Sequence, residues 1–376
     1  MSDFVYSLER APEDATIAGG KGAGLARLVR FGVPVPPGFV LTAAAFREYL
    51  RANGIEEDLG SIAAGAWPDG MRSQIEAAYE ALRASSGDAV AVRSSATVED
   101  SSGASFAGQH ATVLNVQTFD DVLDAVLVCW ASLYRADALA YRRAQSFRGR
   151  AKSFGGRAQE VEDDRPAMAV VVQTLVPAEA SGVLFTLDPV SGDRDAVLID
   201  AAFGLGESVV SGAVTPDHFV VAKADGAIRH RQIASKRMQI VADEGGGVRT
   251  EEVSDGRASE ASLTDEQVIE LARLAIRIEE QAGAPQDIEW SVAGGQFYIL
   301  QARPVTAAAA QPEESEGWVS EFDSETDEAT IWTSANIQEV LPGQISPFSC
   351  AFNRQMIERF GNEPVERMGI RRQTPD

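Results

Sequence analysis

Two runs in which apolar and polar residues alternate, 287–292 and 297–303, flank the dipeptide Gly294-Gly295. Alternation with a period of two reads as β-strand, and paired glycines between two such runs read as a hairpin turn. The pattern forces an antiparallel pair over 287–303. It also poses a question of register. Alternation sets Glu289 on the opposite side of its strand from Ile288 and Trp290. A two-residue turn would pair Glu289 with Leu300, whereas a three-residue loop, Gly294-Gly295-Gln296, pairs it with Gln301. We expect the three-residue loop.

Further strands are expected at 89–92, 168–176, 183–186, 196–200 and 218–222, with helices between them. Leu25, Leu28 and Val29 share a helical face before Gly32 and a run of prolines. Thr118 with Asp121 opens a helix reaching about 145. The sequence Thr264-Asp-Glu-Gln267 is a capping-box pattern for a helix from about 265 to 282, ended by Gly283. Helices and strands thus mix along the chain in an α/β (α+β) manner.

Several polar residues stand where chemistry is expected. A carboxylate at Glu289 facing an amide oxygen at Gln301 suits Mg²⁺, which keeps waters and binds substrate phosphates; an exposed polar hairpin face is the other reading. Arg93 ends a short apolar run and precedes Ser- and Gly-rich sequence as far as Gln109. Small residues let backbone N–H groups approach an anion, and a guanidinium adds a forked donor; a surface loop is the alternative. Lys21 lies among glycines at a helix start, where it either reaches a polyphosphate or sits exposed in a turn. The Walker A pattern is absent. Gln173, polar within an apolar run, either satisfies a sheet edge or contacts a ligand. The glycine turns at 181–186 and 204–217 read as structural. His110, His218 and His230 have no ligand partner at metal spacing, and the two cysteines, Cys129 and Cys350, form no CxxC pair.

Composition excludes some classes. The formal net charge is -23, which argues against nucleic acid and against an anionic membrane surface. No apolar stretch approaches the ~20 residues of a membrane span, and no signal peptide is visible. A cytoplasmic location is expected.

The elements Gly19-Gly-Lys21-Gly22, Arg93-Ser-Ser-Ala with Glu99-Asp100, Ser105-Phe-Ala-Gly-Gln109, Ser181-Gly-Val-Leu-Phe-Thr186, Gly204-Leu-Gly-Glu207 with Pro216-Asp217, and Gln301-Ala-Arg303-Pro304 occur in that order. Together they resemble the nucleotide-binding region shared by pyruvate phosphate dikinase, phosphoenolpyruvate synthase and rifampin phosphotransferase, over about 18–306. The resemblance implies an ATP-grasp-like fold with two lobes, 1–180 and 181–308, closing on ATP. It implies that Lys21, Arg93, Gly108, Thr112, Gln173, Glu289, Gln301 and Arg303 bind ATP, that Glu289 and Gln301 hold Mg²⁺, and that Lys21, Arg93 and Arg303 neutralise charge during transfer.

In the family, ATP phosphorylates a histidine on a swivelling domain, AMP and phosphate are released, and the phosphohistidine then serves a small acceptor. That histidine sits in a Thr-Ser-His-type motif, which this sequence lacks. The implied partner is therefore a phosphohistidine-carrying domain or subunit, and the acceptor, a phenolic or antibiotic hydroxyl or pyruvate, binds elsewhere. Between 311 and 330 stand eight acids and no Lys or Arg, and 309–330 reads as a solvated linker. The segment 331–376 resembles the start of the acceptor domain of rifampin phosphotransferase-like proteins. A fragment of a longer enzyme and a subunit of a split dikinase both fit. Two other functions remain open: an ATP-binding regulatory or scaffold protein, and an ATP-grasp ligase.

Overall fold

The structure is a computed structural model that describes residues 4–55, 59–97, 111–133, 167–189 and 191–305. Gly108, the 309–330 linker and the segment 331–376 lie outside the described residues, as do His110 and Cys350. Two antiparallel sheets carry the architecture. The first has the order β1-β2-β5-β3-β4, with β1 Val5–Ser7, β2 Gly38–Leu41, β3 Val90–Ala96, β4 Thr112–Val116 and β5 Met168–Thr174. The second has the order β13-β12-β6-β7-β8-β9, with β6 Ala180–Phe185, β7 Ala196–Phe203, β8 Asp217–Ala222, β9 Ile228–Gln232, β12 Gln286–Ala293 and β13 Gln296–Pro304. A separate hairpin, β10 Met238–Ala242 and β11 Val248–Glu252, leaves the chain between β9 and the last helix.

The first sheet is covered on both faces. Phe39, Leu41, Val90, Val92, Val170 and Val172 join one core with the helices α2 Ala43–Asn53, α4 Asp69–Ser86 and α5 Phe119–Ser132. Within that core Trp130 donates its indole N–H to the Met168 carbonyl at 3.0 Å and stacks near Phe46, Tyr49 and Trp67. The alternate residues Val40, Ala169 and Val171 join a second core with Leu25 and Leu28 of α1 Ala15–Arg30. A short α3, Leu59–Ala64, completes this half.

The second sheet is covered on one face by α8 Asp265–Ala282, the last of three helices after α6 Glu207–Val210 and α7 Asp255–Ala258. Thr264 and Gln267 form the expected reciprocal cap, and Gly283, at φ 71, ends the helix in the left-handed region. The cap contributes about 1 kcal/mol. The buried stripe Val268, Leu271, Leu274 and Ile278 contributes about 1.5–3 kcal/mol per large side chain. Packing therefore decides that this segment is helix, and the cap decides where it starts.

Candidate functional site

Alternation sorts the second sheet into a buried and an open face. Leu184, Ile199, Phe219, Ile288 and Trp290 are in the core. Their neighbours Val183, Asp200, His218 and Glu289 consequently point the other way. The ladder aligns these four in one row across the sheet, Glu289 opposite Val183, Val183 opposite Asp200, and Asp200 opposite His218. On the outer side of Glu289 the row ends with Gln301.

The Glu289–Gln301 pairing is thus as expected, but the loop that was to produce it is not. Gly294 and Gly295 have φ of 57 and 76, and Ala293 pairs with Gln296. The turn has two residues, because consecutive positive-φ glycines build the primed turn that suits strand twist. Register is shifted afterwards: Trp290 pairs with Ile299 and Glu289 with Gln301, leaving Leu300 as the extra residue of a bulge. The bulge turns Gln301 and Arg303 onto the open face and leaves the Leu300 carbonyl aimed at the first sheet.

Arg93 receives that carbonyl. Its Nη1 donates to the Leu300 oxygen at 2.7 Å and its Nη2 to Glu289 Oε2. Arg93 does not end its strand as expected; β3 runs on through Ser94, Ser95 and Ala96. The two serines read as loop because they are small and polar, yet both are buried with internal partners. Ser94 Oγ donates to the Ala111 carbonyl at 2.8 Å, and Ser95 Oγ donates to the Ala18 carbonyl at 2.9 Å while accepting the Gly22 N–H at 3.0 Å.

Ser95 also explains Gly19, two residues before Lys21. Gly19 has φ 69 and ψ 170 and breaks α1 into two segments. A Cβ at Gly19 would lie 2.1 Å from the Ser95 carbonyl oxygen, so only glycine lets α1 approach β3 this closely. Lys21 therefore opens the second helical segment, half-buried beside β3. Its charge is felt at Cys129, whose thiol is pushed up to about 12 by burial and drawn down by Lys21.

Thr112 is exposed and directly opposite Arg93 in the ladder. Gln173 is buried, shares the face of Val171, and donates Nε2 to the Pro36 carbonyl at 3.1 Å. Arg303 clamps Asp287 Oδ2 through Nε at 3.0 Å and Nη2 at 2.8 Å. Asp287 was not singled out in the sequence, although it lies two residues from Glu289 and hence on the same face. Burial raises its carboxyl above the ordinary aspartate range; Arg303 opposes that rise and the nearby Glu289 charge adds to it. The Asp200–His218 pair, 2.7 Å between Oδ1 and Nδ1, also escaped sequence reading, because its only signal is a register between strands.

The residues fit a hard cation. Gln301 Oε1 is buried with no hydrogen-bond partner, a state that costs roughly 1–3 kcal/mol, and it sits across from the Glu289 carboxylate. No group of three or more His, Cys, Asp and Glu with metal geometry occurs among the described residues. A cation here would take few protein oxygens and the rest from phosphate and water, which is the habit of Mg²⁺.

Comparison with known proteins gives the family of the chain. The sequence family described as pyruvate phosphate dikinase, AMP/ATP-binding domain, matches residues 15–321. A probable phosphoenolpyruvate synthase of Methanocaldococcus jannaschii is 38% identical over 332 residues, 81% of this chain and 27% of that protein. A rifampicin phosphotransferase of a Streptomyces species is 39% identical over 360 residues, 89% of this chain and 38% of the relative. The prodigiosin synthesizing transferase PigC of Serratia marcescens is 36% identical over 361 residues, with 94% and 38% covered. The chain spans less than half the length of these relatives. A solved D-alanine–D-alanine ligase of Bacillus anthracis aligns at a TM-score of 0.30 and 9% identity, over 75% of this chain and 55% of the other, too weak a likeness to carry an argument. No helix among the described residues is long and apolar enough to cross a membrane. By the match over 15–321, the chain belongs to the pyruvate phosphate dikinase AMP/ATP-binding domain family.

Proposed function

We propose that 1–180 and 181–308 act as two ATP-grasp-like lobes that bind Mg-ATP and transfer phosphate to a histidine carried by another domain or subunit. The observation that carries this reading is the convergence of Arg93 from one sheet with Glu289, Gln301 and Arg303 from the other, with the Gln301 oxygen left buried and unpartnered. Phosphoryl transfer needs positioning and charge neutralisation more than covalent help from the protein. Arg93, Arg303 and Lys21 supply cationic groups of different reach. Glu289 and Gln301 would hold Mg²⁺, which supplies further neutralisation of phosphate oxygens when bound. Thr112 and Gly108 would line the phosphates, and Gln173 would lie at the nucleoside side.

The chain lacks a Thr-Ser-His sequence, so the phosphohistidine carrier is a partner in this reading. Two phosphoanhydride bonds of ATP break in this reading, one by transfer to the carrier histidine and one by hydrolysis with water, so that AMP and phosphate leave, and the carrier serves a small acceptor such as a phenolic or antibiotic hydroxyl, or pyruvate. Isothermal titration with Mg-ATP tests the nucleotide site. Magnesium-dependent binding is expected in the wild type, weakened by about tenfold or more in both Glu289→Ala and Arg93→Ala, the loss expected for one charge-assisted contact. A folded wild type that binds no Mg-ATP, or variants that bind as well as it does, would refute the site.

A further inference from the structure

The β10–β11 hairpin joins the two sheets. Midway along β10, Leu205 N–H donates to the Ile240 carbonyl at 2.8 Å, next to Gly204. Gly204 has φ +77, and a Cβ there would stand 2.4 Å from the Ile240 oxygen, so this contact requires glycine. At its tip the hairpin grips Asn115 of β4, the edge strand of the first sheet. Asn115 Nδ2 donates to the carbonyls of Asp243 at 2.7 Å and Gly247 at 2.6 Å. The Gly247 N–H returns a bond to the Asn115 carbonyl at 3.0 Å. Gln117 Nε2 donates to Asn115 Oδ1 at 3.2 Å.

Asn115 is itself unusual. It is 2% exposed, and its φ of 56 is the one positive value at a non-glycine among the described residues. It sits in a bulge of β4: Val90 pairs with Val116 but Val92 with Val113, so two residues of β4 answer one of β3. The bulge decides what faces Arg93. Continued without it, the register from Val90–Val116 would bring Val113 opposite Arg93. With it, Thr112 takes that place. A one-residue slip exchanges the faces of every side chain beyond it.

We propose that the hairpin is a strap between the two sheets and that Asn115, its anchor, is a positioning residue that sets Thr112 beside Arg93 on the phosphate side of the nucleotide site. The second half of this inference rests on the nucleotide reading above; the first does not. Asn115→Gly is the decisive variant, because glycine keeps the left-handed backbone while removing the side-chain bonds. Asn115→Asp keeps the size but turns the donor into an acceptor facing two carbonyls, and it should behave like glycine.

Hydrogen exchange on the ligand-free chain reads the strap. In both variants the amides of 238–252 and 112–116 are expected to exchange about tenfold faster or more, the factor carried by one or two net hydrogen bonds. Unchanged exchange would overturn the strap. Titration then reads the positioning role: Mg-ATP is expected to weaken about tenfold or more, and AMP, which lacks the outer phosphates, less than about threefold. Equal weakening of the two ligands, or none, would overturn positioning and leave Asn115 a structural residue. A wild type that binds neither ligand would overturn the nucleotide reading and positioning together, while the exchange result would still decide the strap.

Discussion

Arg93 is 12% exposed and Glu289 24%, so their contact is a partly buried tie between the two sheets. Arg93→Met removes two donors at once. The bond to Glu289 is charge-assisted on both sides and that to the Leu300 carbonyl on one, and such bonds contribute roughly 1.5–3 kcal/mol each. Because Glu289 keeps some water, the lower end applies to both, giving a loss of about 3 kcal/mol. In a Glu289→Gln background the carboxylate is already gone, and the same arginine substitution should cost only about 1.5 kcal/mol. The coupling energy between the two sites is therefore about 1.5 kcal/mol. For a chain of this size, 1 kcal/mol moves the melting temperature by about 1–2 °C. Thermal unfolding without nucleotide should show Arg93→Met lowered by about 3–6 °C. The double variant should lie about 2–3 °C above the sum of the single effects. Arg93→Lys should fall between wild type and methionine, since an ammonium cannot serve two acceptors as a fork does. Additivity within about 0.5 kcal/mol would refute the claim that Arg93 and Glu289 tie the sheets together.

Other substitutions probe single features. Asp287 should titrate above the ordinary aspartate range by carboxyl NMR, with Glu289→Gln lowering its midpoint and Arg303→Met raising it. Between the ordinary value and the raised one, the fold holds a proton that the unfolded chain has released. The contribution of Asp287 to stability is consequently full below the ordinary value and falls as pH rises through that window; a midpoint at or below the ordinary value would contradict the burial argument. Gly19→Ala should cost several kcal/mol, because φ 69 with ψ 170 is essentially glycine-only and the Cβ meets Ser95. Gly32→Ala, at φ +70 with nothing within 4 Å, should cost only about 1 kcal/mol; equal melting temperatures for the two would sink the close-approach argument. Lys236 and Asp217 are both 0% exposed and paired, so Lys236→Met should destabilise by about 3–5 kcal/mol in chemical denaturation. A loss under about 1 kcal/mol would mean that Asp217 is satisfied by its bonds from Ala234 and Ser262 alone.

What the sequence revealed was what neighbouring residues decide. The caps at Thr118 and Thr264 need only the next three residues, and both helices start where those residues say. The Glu289–Gln301 pairing was read correctly through the wrong turn, because Gly294-Gly295 closes the hairpin locally while the bulge at Leu300 accompanies a contact with Arg93 from the other sheet. Ser94 and Ser95 were read as loop because their partners, Ala111, Ala18 and Gly22, are distant or belong to other elements. The strands at 228–232 and 248–252 went unread, since Arg229-His-Arg-Gln232 and Arg249-Thr-Glu-Glu252 carry charge in place of alternating apolar residues. Asp287 was missed for a related reason: its partner Arg303 is sixteen residues away, and only the register brings them together.

The ion pair between Arg93 and Glu289 has a consequence for how a nucleotide would bind. Each member is satisfied before any ligand arrives. Under the proposed function, Mg-ATP exchanges that pair for two new ones, phosphate against Arg93 and cation against Glu289. Such an exchange keeps both charges compensated throughout, which avoids the large cost of an unpaired buried charge. Removing the carboxylate should then have opposite effects on two forms of the same ligand. Glu289→Gln takes away a cation ligand, so Mg-ATP should bind about tenfold more weakly or worse. It also releases Arg93 from its competitor, so ATP in the presence of a chelator should bind better than to the wild type, by a factor of about two to ten. Titrations of both variants with and without magnesium read the two signs separately. If metal-free ATP also binds more weakly to Glu289→Gln, then Arg93 is not released toward phosphate, and the pair is a structural tie rather than a placeholder for the ligand.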